Sequence, residues 1–312
     1  METTFHMPVL VKEVLRSLAC KPGGIYVDGT VGGGGHAEGI LRETFPDGIL
    51  VGIDKDDVAI QASRERLKDF GDRVTLMKGS FADMASILKG LNISRADGII
   101  LDLGVSSHQL NTADRGFSFS SDAPLDMRMD QNGSIRAADL VNELSEGELE
   151  RVIREYGEDF RAKKIARAIA ARRRTAPIMT TGELAAVVAG AVKGRRRHER
   201  IHPATKTFQA LRIAVNDEMS NLRRVLDTGV DLLAVGGRFS IISFHSLEDR
   251  MVKQAFRAWE KGCVCPPEFP HCVCGEKQKV VVITKRAVKP SDDEITSNPR
   301  SRSARLRTAE RV

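Results

Sequence analysis

The amino-acid sequence predicts an α/β fold, in which a parallel sheet carries helices on both faces and one helical insertion interrupts the chain. Three observations support this prediction. Short apolar runs alternate with helical patterns between residues 25 and 103, as in βαβ units. A glycine-rich loop directly follows the first apolar run. Strand patterns are then missing after Gly104 and return at Arg238.

The elements follow one another in a regular order. Val11, Val14, Leu15 and Leu18 have the spacing of a short first helix. The predicted strands are 25–27, 49–53, 74–77, 97–103, 238–243 and 280–284, with a last short strand within 300–312. The other predicted helices are 58–70, one that closes over 87–91, 145–156, 159–174, 181–192, 204–226 and 247–261.

The helical patterns in the middle of the chain predict a second domain. Residues 105–130 are polar and rich in serine and aspartate, and the helices that follow have no strand between them. We therefore expect residues 1–113 and 202–312 to form one discontinuous α/β domain. Residues 114–201 are expected to form an inserted all-helical domain.

The composition is that of an ordinary globular protein. Hydrophobic residues make up 41% and charged residues 29% of the 312 positions. No apolar run approaches the roughly 18 residues that span a bilayer, and no secretory signal is visible at the start. Four of the five cysteines are clustered, unlike a secreted disulfide framework. We expect a cytoplasmic protein without a membrane partner.

The glycine loop predicts a ligand site after the first strand. The segment 26–36 reads YVDGTVGGGGH and leads into a helical pattern. Gly32, Gly34 and Ala37 match the dinucleotide fingerprint only in its weaker form. Asp28 would lie beneath the loop, where it would repel a pyrophosphate but tolerate the ammonium group of S-adenosylmethionine. A turn that serves only helix–strand packing is the alternative, although four glycines carry a large entropic cost.

Polar residues also follow the other predicted strands. Asp54 ends the second strand about 20 residues beyond the loop, where an acid takes up ribose hydroxyls in nucleotide sites. Phe81, with Asp83 beside it, follows the third strand and is expected either to stack on adenine or to join the core. Asp102 ends the fourth strand and opens the segment DLGVSSHQ. Ligands of open α/β sheets lie at these carboxyl ends.

His245 follows the fifth strand in the segment ISFHSLEDR. One interpretation places it at the edge of the ligand cleft. The other is a helix start in which Ser246 is the N-cap and two acids occupy the first turn. Both interpretations can hold together.

The charge distribution favours a polyanionic partner. The chain carries a net charge of +6, and the segment 161–174 holds seven cations and no acid. Lys163, Arg167 and Arg174 share one helical face. A second basic run contains Arg195, Arg196, Arg197 and Arg200, and the tail adds five arginines. Such runs are usually solvated surfaces, but two unbalanced ones favour contact with a phosphate backbone.

The clustered cysteines have two interpretations. Cys263, Cys265, Cys272 and Cys274 form two C-x-C pairs, and four thiolates could close a zinc site. The C-x-C spacing is tighter than that of the usual zinc knuckle. The alternative is a reduced loop with exposed thiols, and we assign no metal ligand from the sequence.

Several segments, in order along nearly the whole chain, resemble one family. They are DGTVGGGGH, DLGVSSHQL, RGFSF, PLDMRMD, HPATKTFQALRIAVNDE, SFHSLEDR and NPRSRSARLR. The chain is thereby similar to the bacterial MraW/RsmH family of S-adenosylmethionine-dependent methyltransferases, which methylate N4 of a cytidine in the decoding centre of 16S ribosomal RNA. The cysteine loop departs from the pattern, because not all members carry it.

The resemblance implies a class I methyltransferase fold, an inserted helical domain that recognises substrate, and a set of site residues. The implied cofactor-binding residues are Gly34, Gly35, His36, Asp54, Phe81, Asp102 and Gln109. The implied partner is 16S rRNA within the small ribosomal subunit, and a homodimer stays open. The two basic runs, and not the resemblance, are the reason to expect RNA contacts at Arg172–Arg174 and Arg195–Arg197.

The implied reaction is attack of the cytosine amine on the sulfonium methyl, with the reacting atoms held in line. Hydrogen-bond acceptors would help to localise the lone pair of the amine. Candidates are Ser106, with the backbone of 105–107, and His245; no D-P-P-Y-like motif is present. Two rivals are a methyltransferase for a small molecule or protein and a non-catalytic RNA-binding factor in ribosome assembly.

Overall fold

The structure, a computed structural model, describes residues 8–192, 202–263, 265–266, 269, 271 and 273–312. The chain divides into two compact units. One comprises the chain up to Gly104 and again from Ser220 onward, and the other is Val105–Met219. Among the described helices, none combines the length and the apolar character that crossing a bilayer requires.

The first unit is built on a sheet with seven strands in its described part. These are β1 (Ile25–Asp28), β2 (Ile49–Asp54), β3 (Val74–Lys78), β4 (Ala96–Asp102), β5 (Leu233–Ser243), β6 (Val280–Val282) and β7 (Arg305–Arg311). Their order is β3-β2-β1-β4-β5-β7-β6. Strands β1 to β5 are parallel, and β7 runs antiparallel to β5 and β6. The α/β fold predicted from the sequence is confirmed.

The described α-helices are divided between the two units. They are α1 (Val11–Leu18), α2 (Gly35–Glu43), α3 (Asp57–Leu67), α4 (Met84–Gly90), α5 (Ser107–Asn111), α6 (Ala137–Glu143), α7 (Glu146–Gly157), α8 (Ala162–Arg173), α9 (Thr181–Ala191), α10 (Thr205–Asn216), α11 (Glu218–Thr228), α12 (Ser246–Lys261) and α13 (Asp292–Ser297).

Both faces of the sheet are buried. Ile99 and Leu101 of β4 belong to one apolar core, whereas Ile100 between them belongs to another. Ile241 and Ile242 of β5 divide in the same way. Because successive side chains of a strand point to opposite faces, each face packs on its own layer of helices. The parallel strands β1 to β5 bring their carboxyl ends to one edge of this buried sheet.

The helical unit has its own core and wider limits than the range 114–201 expected from the sequence. Leu149, Ile165 and Leu211 are fully buried in this core, on α7, α8 and α10. Val105, which precedes the expected start, also packs against it. The limits move outward because apolar side chains beyond both expected ends pack against this core, a feature that the polar composition of 105–130 conceals.

The single helix expected over 204–226 is wrong. Helix α10 ends at Asn216, and Asp217 adopts a left-handed conformation with φ 50° before α11 begins. The Asn216 side chain accepts a hydrogen bond from the Met129 amide and donates one to the Met127 carbonyl. Asn and Asp tolerate this conformation better than most residues, so the Asn-Asp pair carried a signal for the break.

Candidate active site

Three strands end in an aspartate at the same edge of the sheet. Asp28, Asp54 and Asp102 are the last residues of β1, β2 and β4, which lie side by side. The chain order reverses direction between β1 and β4, and ligands of open α/β sheets bind outside such a switch point. Asp28 is 1% exposed, and the other two are partly buried.

Hydrogen bonds join these aspartates to the neighbouring loops. Asp28 Oδ1 accepts from the Thr30 amide at 3.1 Å, and Thr30 Oγ1 accepts from the Asp102 amide at 2.6 Å. Asp54 Oδ2 accepts from the Gly32 amide at 2.9 Å, and its Oδ1 accepts from the Asp56 amide at 3.0 Å. The carboxylate of Asp54 thus ties the glycine loop to the end of β2.

Two carboxylate oxygens of this row are buried without a hydrogen-bond partner within the described residues: Asp28 Oδ2 and Asp102 Oδ1. Leaving a buried polar atom unpaired costs about 1–3 kcal/mol, and more for a charged group. Buried oxygens without a hydrogen-bond partner are expected at a binding site, where a ligand supplies the missing donor.

Burial dominates the electrostatics of the row. Burial raises the pKa of Asp28 to about 7 and that of Asp54 to about 6. Burial, followed by the negative charges of Asp28 and Glu248, raises the pKa of Asp102 well above its usual range. A site that holds several poorly solvated carboxyls favours a cation and disfavours a pyrophosphate. The ammonium and sulfonium groups of S-adenosylmethionine fit this requirement.

The glycine loop begins α2 through two left-handed residues, Gly32 with φ 51° and Gly34 with φ 78°. Side chains other than glycine are strained in this conformation, so the turn requires both residues. Gly35 serves packing instead, because a Cβ there would lie 2.6 Å from Pro8 Cγ. Packing therefore accounts for the glycine at position 35, and the cofactor-binding role that the family resemblance implies for Gly35 stays a prediction.

His36, in the first turn of α2, is buried and neutral. Its Nε2 lies 2.8 Å from the Val9 carbonyl oxygen, so Nε2 carries the proton and donates. The other ring nitrogen, Nδ1, faces Asp102 Oδ2 at 3.9 Å. Burial lowers the pKa of His36, and the ring therefore adds no positive charge to the row.

Phe81 packs half-buried against the core cluster that includes Leu101 and Met84. Of the two roles expected for Phe81, the structure shows the contact with the core, and stacking on an adenine ring stays a prediction. Asp83, close by in sequence, is exposed and accepts a hydrogen bond from Arg224 Nη2 at 2.6 Å.

Ser106 and Gln109, both in the helical unit, form the capping box of α5. Ser106 Oγ accepts from the Gln109 amide at 3.2 Å, and Gln109 Oε1 accepts from the Ser106 amide at 3.0 Å. Gln109 is 5% exposed. Their expected roles, catalysis for Ser106 and cofactor binding for Gln109, stay predictions.

His245 is the N-cap of α12, and the expectation that Ser246 is the cap is wrong. His245 Nδ1 accepts from the Glu248 amide at 3.4 Å, and Glu248 Oε2 accepts from the Phe244 amide at 2.8 Å. His245 Nε2 lies 3.1 Å from Glu248 Oε1, although the two groups are not aligned for a hydrogen bond. Since Nδ1 accepts, the proton of a neutral ring is on Nε2.

Glu248 is the residue of this region that the sequence analysis missed. The sequence places Glu248 in the first turn of a helix and predicts no other role for it. In the structure Glu248 is 2% exposed, and its negative charge helps to raise the pKa of Asp102. An acid three residues after a cap is the signal of a capping box. Histidine is not among the usual caps, so the signal was not recognised.

The basic residues of α8 differ in their surroundings. Arg172 Nη1 donates to the Ala176 carbonyl and Arg173 Nη1 to the Val141 carbonyl, both at 2.7 Å. Arg174 and Lys163 are exposed. The predicted RNA contacts Arg195, Arg196 and Arg197 lie outside the described residues. Of the predicted set, Arg174 is thus the best placed to meet a ligand.

A basic cavity of about 240 Å³ lies beside His245 in the α/β unit. Its lining includes Lys289, Arg302 and Arg305. Lys289 and Arg302 are exposed, whereas Arg305 Nη1 also donates to Asp249 Oδ2 at 2.8 Å. Three cations around one concave surface attract an anion such as a phosphate group.

Replacing Asp54 with alanine should weaken S-adenosylmethionine binding by about 1.5–3 kcal/mol, the range for hydrogen bonds to charged groups. We expect Asp54 to accept the ribose hydroxyls while it holds Gly32. Titration calorimetry measures the change, and a thermal melt checks the fold. Asp57→Ala is the matched control, because Asp57 is exposed and pairs with Lys78 on the surface. Equal affinities of the Asp54 variant and wild type would remove Asp54 from the site.

The chain is similar to known proteins along almost its whole length. The model of the MraW methylase family matches residues 3–312. Ribosomal RNA small subunit methyltransferase H of Syntrophus aciditrophicus is 58% identical over 99% of this chain and 98% of its own. The protein of the same name from Trichlorobacter lovleyi is 52% identical over the full length of both chains.

Among solved structures, an rRNA methylase from Streptococcus thermophilus aligns with 97% of this chain and 92% of its own, with a TM-score of 0.41 and 11% identity. The fold assignment depends instead on the strand order of this chain, with five parallel strands and an antiparallel seventh strand between β5 and β6.

Proposed function

Because the chain belongs to the MraW methylase family and is an S-adenosylmethionine-dependent methyltransferase of the class I fold, we propose that it methylates the RNA of the small ribosomal subunit. The names of its relatives support this substrate. More finely, we propose that the methyl group goes to N4 of a cytidine in the decoding centre of 16S rRNA, as the family motifs imply.

The row of buried carboxylates is the observation that carries the proposal. Bound S-adenosylmethionine supplies an electrophilic methyl group on a cationic sulfonium. Asp28 and Asp102 are poorly solvated carboxyls, and the unpaired oxygen of each can accept from an ammonium group, whose positive charge favours the ionised form of the carboxyl. Asp54 fixes the glycine loop through Gly32 and has further lone pairs for ribose hydroxyls.

His245 fits a donor role toward the substrate better than the acceptor role expected from the sequence. The N-cap engages Nδ1 and leaves the proton on Nε2. Such an N–H can donate but cannot accept, and it is buried 3.1 Å from Glu248 Oε1. We propose that the acceptor for the cytosine amine is Ser106 or the backbone of residues 105–107.

Transfer of labelled methyl from S-adenosylmethionine to small ribosomal subunits that lack the modification tests the proposal. We expect label in 16S rRNA, and mass spectrometry of the digested RNA should place it on N4 of one cytidine. Label in a ribosomal protein or a small molecule would favour the rival methyltransferases. RNA binding without any transfer would favour an assembly factor that does not catalyse.

We propose further that the helical unit grips RNA phosphates through the exposed face of α8. Lys163 and Arg174 lie on the same side of this helix, together with Arg167. The double variant Lys163→Gln, Arg174→Gln should reduce the slope of log affinity against log salt by up to about 0.7 per lost contact to single-stranded RNA. Cofactor affinity should not change, because phosphate contacts serve only to position the RNA.

The matched control for this variant is Arg151→Gln, Arg154→Gln on the acid-rich helix α7, where Arg154 pairs with Glu150. The control should keep the wild-type salt slope. An unchanged slope in the α8 variant, or a parallel loss of RNA and cofactor binding, would contradict the proposal. The cytoplasmic location and the homodimer stay predictions, the latter open to sedimentation analysis.

A further inference from the structure

Three cysteines converge in the segment between α12 and β6. The Sγ atoms of Cys263, Cys265 and Cys274 all lie within 4.8 Å of one another, and those of Cys263 and Cys274 are 3.8 Å apart. All three residues are half-buried. The thiols are therefore not the exposed groups of the reduced loop considered from the sequence. Cys272 lies outside the described residues.

The sulfur separations are those of a zinc site. A tetrahedral zinc ion with Zn–S bonds of about 2.3 Å places its sulfur ligands about 3.8 Å apart. The separation of Cys263 Sγ and Cys274 Sγ has this value. The largest separation in the cluster, at most 4.8 Å, needs to close by no more than about 1 Å to reach it.

The backbone is arranged to present these thiolates. The Val273 amide lies 3.3 Å from Cys265 Sγ and donates to it, which holds this sulfur in place beside the other two. Gly275, directly after Cys274, has φ 70° and turns the chain back. Gly262, directly before Cys263, packs so closely on Lys277 that a Cβ would lie 2.4 Å from its carbonyl carbon. The two ends of the segment thus run side by side.

A disulfide explains the cluster less well. Bonded sulfurs lie about 2.05 Å apart, whereas the separation of 3.8 Å between Cys263 Sγ and Cys274 Sγ fits two thiols in contact or two ligands of one ion. One disulfide would also leave the third cysteine of the cluster unexplained.

We propose that Cys263, Cys265 and Cys274 bind a structural zinc ion, with a fourth ligand from outside these three residues. No helix or strand lies between α12 and β6 among the described residues, so the segment lacks the support of a backbone ladder. The ion would join the end of α12 to the approach to β6. Its effect is structural and independent of methyl transfer.

Zinc analysis of the full-length protein tests the proposal. Protein made in zinc-supplemented medium and purified without chelator should contain about one zinc ion per chain. Cobalt exchanged into the site should show thiolate-to-cobalt charge transfer and the intense visible bands of tetrahedral coordination. Cys263→Ser and Cys274→Ser should each reduce bound zinc to below roughly a tenth of the wild-type content.

The matched control is Cys20→Ser, which removes a cysteine outside the cluster. Burial raises the pKa of the Cys20 thiol to about 12, so it is a poor metal ligand, and zinc content should not change. Wild-type protein with less than about a tenth of an equivalent of zinc would overturn the proposal. Tetrahedral cobalt bands that persist in both cluster variants, or a disulfide among the three cysteines, would also overturn it. If a serine variant does not fold, the wild-type zinc content and cobalt spectrum decide.

Discussion

Asp28→Asn should lower the affinity for S-adenosylmethionine on the order of a hundredfold or more, while it makes the ligand-free protein more stable. Asparagine keeps an acceptor for the Thr30 amide but removes the buried charge that a cationic ligand requires. Losing one partner of a buried ion pair costs about 3–5 kcal/mol, which sets the expected loss of affinity. Titration calorimetry measures it.

The gain in unfolding free energy of Asp28→Asn over wild type should increase as the pH rises. Burial raises the pKa of folded Asp28 to about 7, above the value near 3.9 of an unfolded aspartate. Ligand-free wild type therefore loses stability as the pH rises from about 4 to about 7, because the unfolded state releases the proton more readily. Above that range, we expect the variant to be more stable by about 1–3 kcal/mol, since its amide is also poorly solvated. Urea unfolding at several pH values measures the difference.

Cofactor affinity of the wild type should rise with pH through the same range, because the cation binds the ionised carboxyl. Calorimetry in buffers with different ionisation enthalpies should detect the protons released on binding. Asp57→Asn, at an exposed surface pair, is the control and should change neither quantity. A variant that loses both affinity and ligand-free stability would show that Asp28 is structural, and the cation-site argument would fail.

The second large effect that we expect is on stability: Asp249→Ala should lower the free energy of unfolding by about 3–5 kcal/mol. Asp249 Oδ1 accepts from Arg307 Nε at 2.7 Å, and both residues are almost fully buried. The alanine variant leaves the Arg307 guanidinium in the interior without its partner. Burial alone would raise the pKa of Asp249, but the hydrogen bonds from Arg307 and Arg305 outweigh it and hold the pKa below its usual range. Wild type should thus lose this stabilisation below about pH 4, where the carboxyl is protonated.

The control for this prediction is Asp83→Ala, which removes an ion pair of similar length on the surface. Asp83 pairs with Arg224 at 2.6 Å, but both side chains are about half exposed. Exposed pairs contribute about 0–1 kcal/mol, so the control should unfold close to wild type. Chemical denaturation compares the two variants, and equal losses would contradict the distinction between the buried and the exposed pair.

The sequence predicted the sheet and the strand-end aspartates because both follow from short-range pattern. Alternating apolar runs locate β1 to β4, and parallel strands bring Asp28, Asp54 and Asp102 to one edge without further information. The unpaired oxygens could not be predicted, because their isolation depends on which side chains of distant segments fail to reach them.

The number of arginines in a segment does not show which of them pair with other residues of the folded protein. Arg305 and Arg307 are two of the five tail arginines, and both pair with Asp249, which lies more than fifty positions earlier in the chain. Arg307 is buried by this pairing, whereas Arg305 stays exposed and lines the basic cavity. Arg172 and Arg173 likewise donate to carbonyls of their own unit. A run of arginines gives the total charge of a surface, but which of them are spent on the fold becomes clear only from the contacts.

The position of β7 has a consequence for the order of events during synthesis. β7 pairs with both β5 and β6, and β6 joins the sheet through β7. The ribosome makes β5 and β6 first, so one edge of β5 waits with its amides and carbonyls unpaired until β7 has emerged. An unpaired edge of this kind invites association with other nascent chains. Pairing of β7 with β5 and β6 removes this exposed edge, so the chain is most open to such association before its last strand has been made.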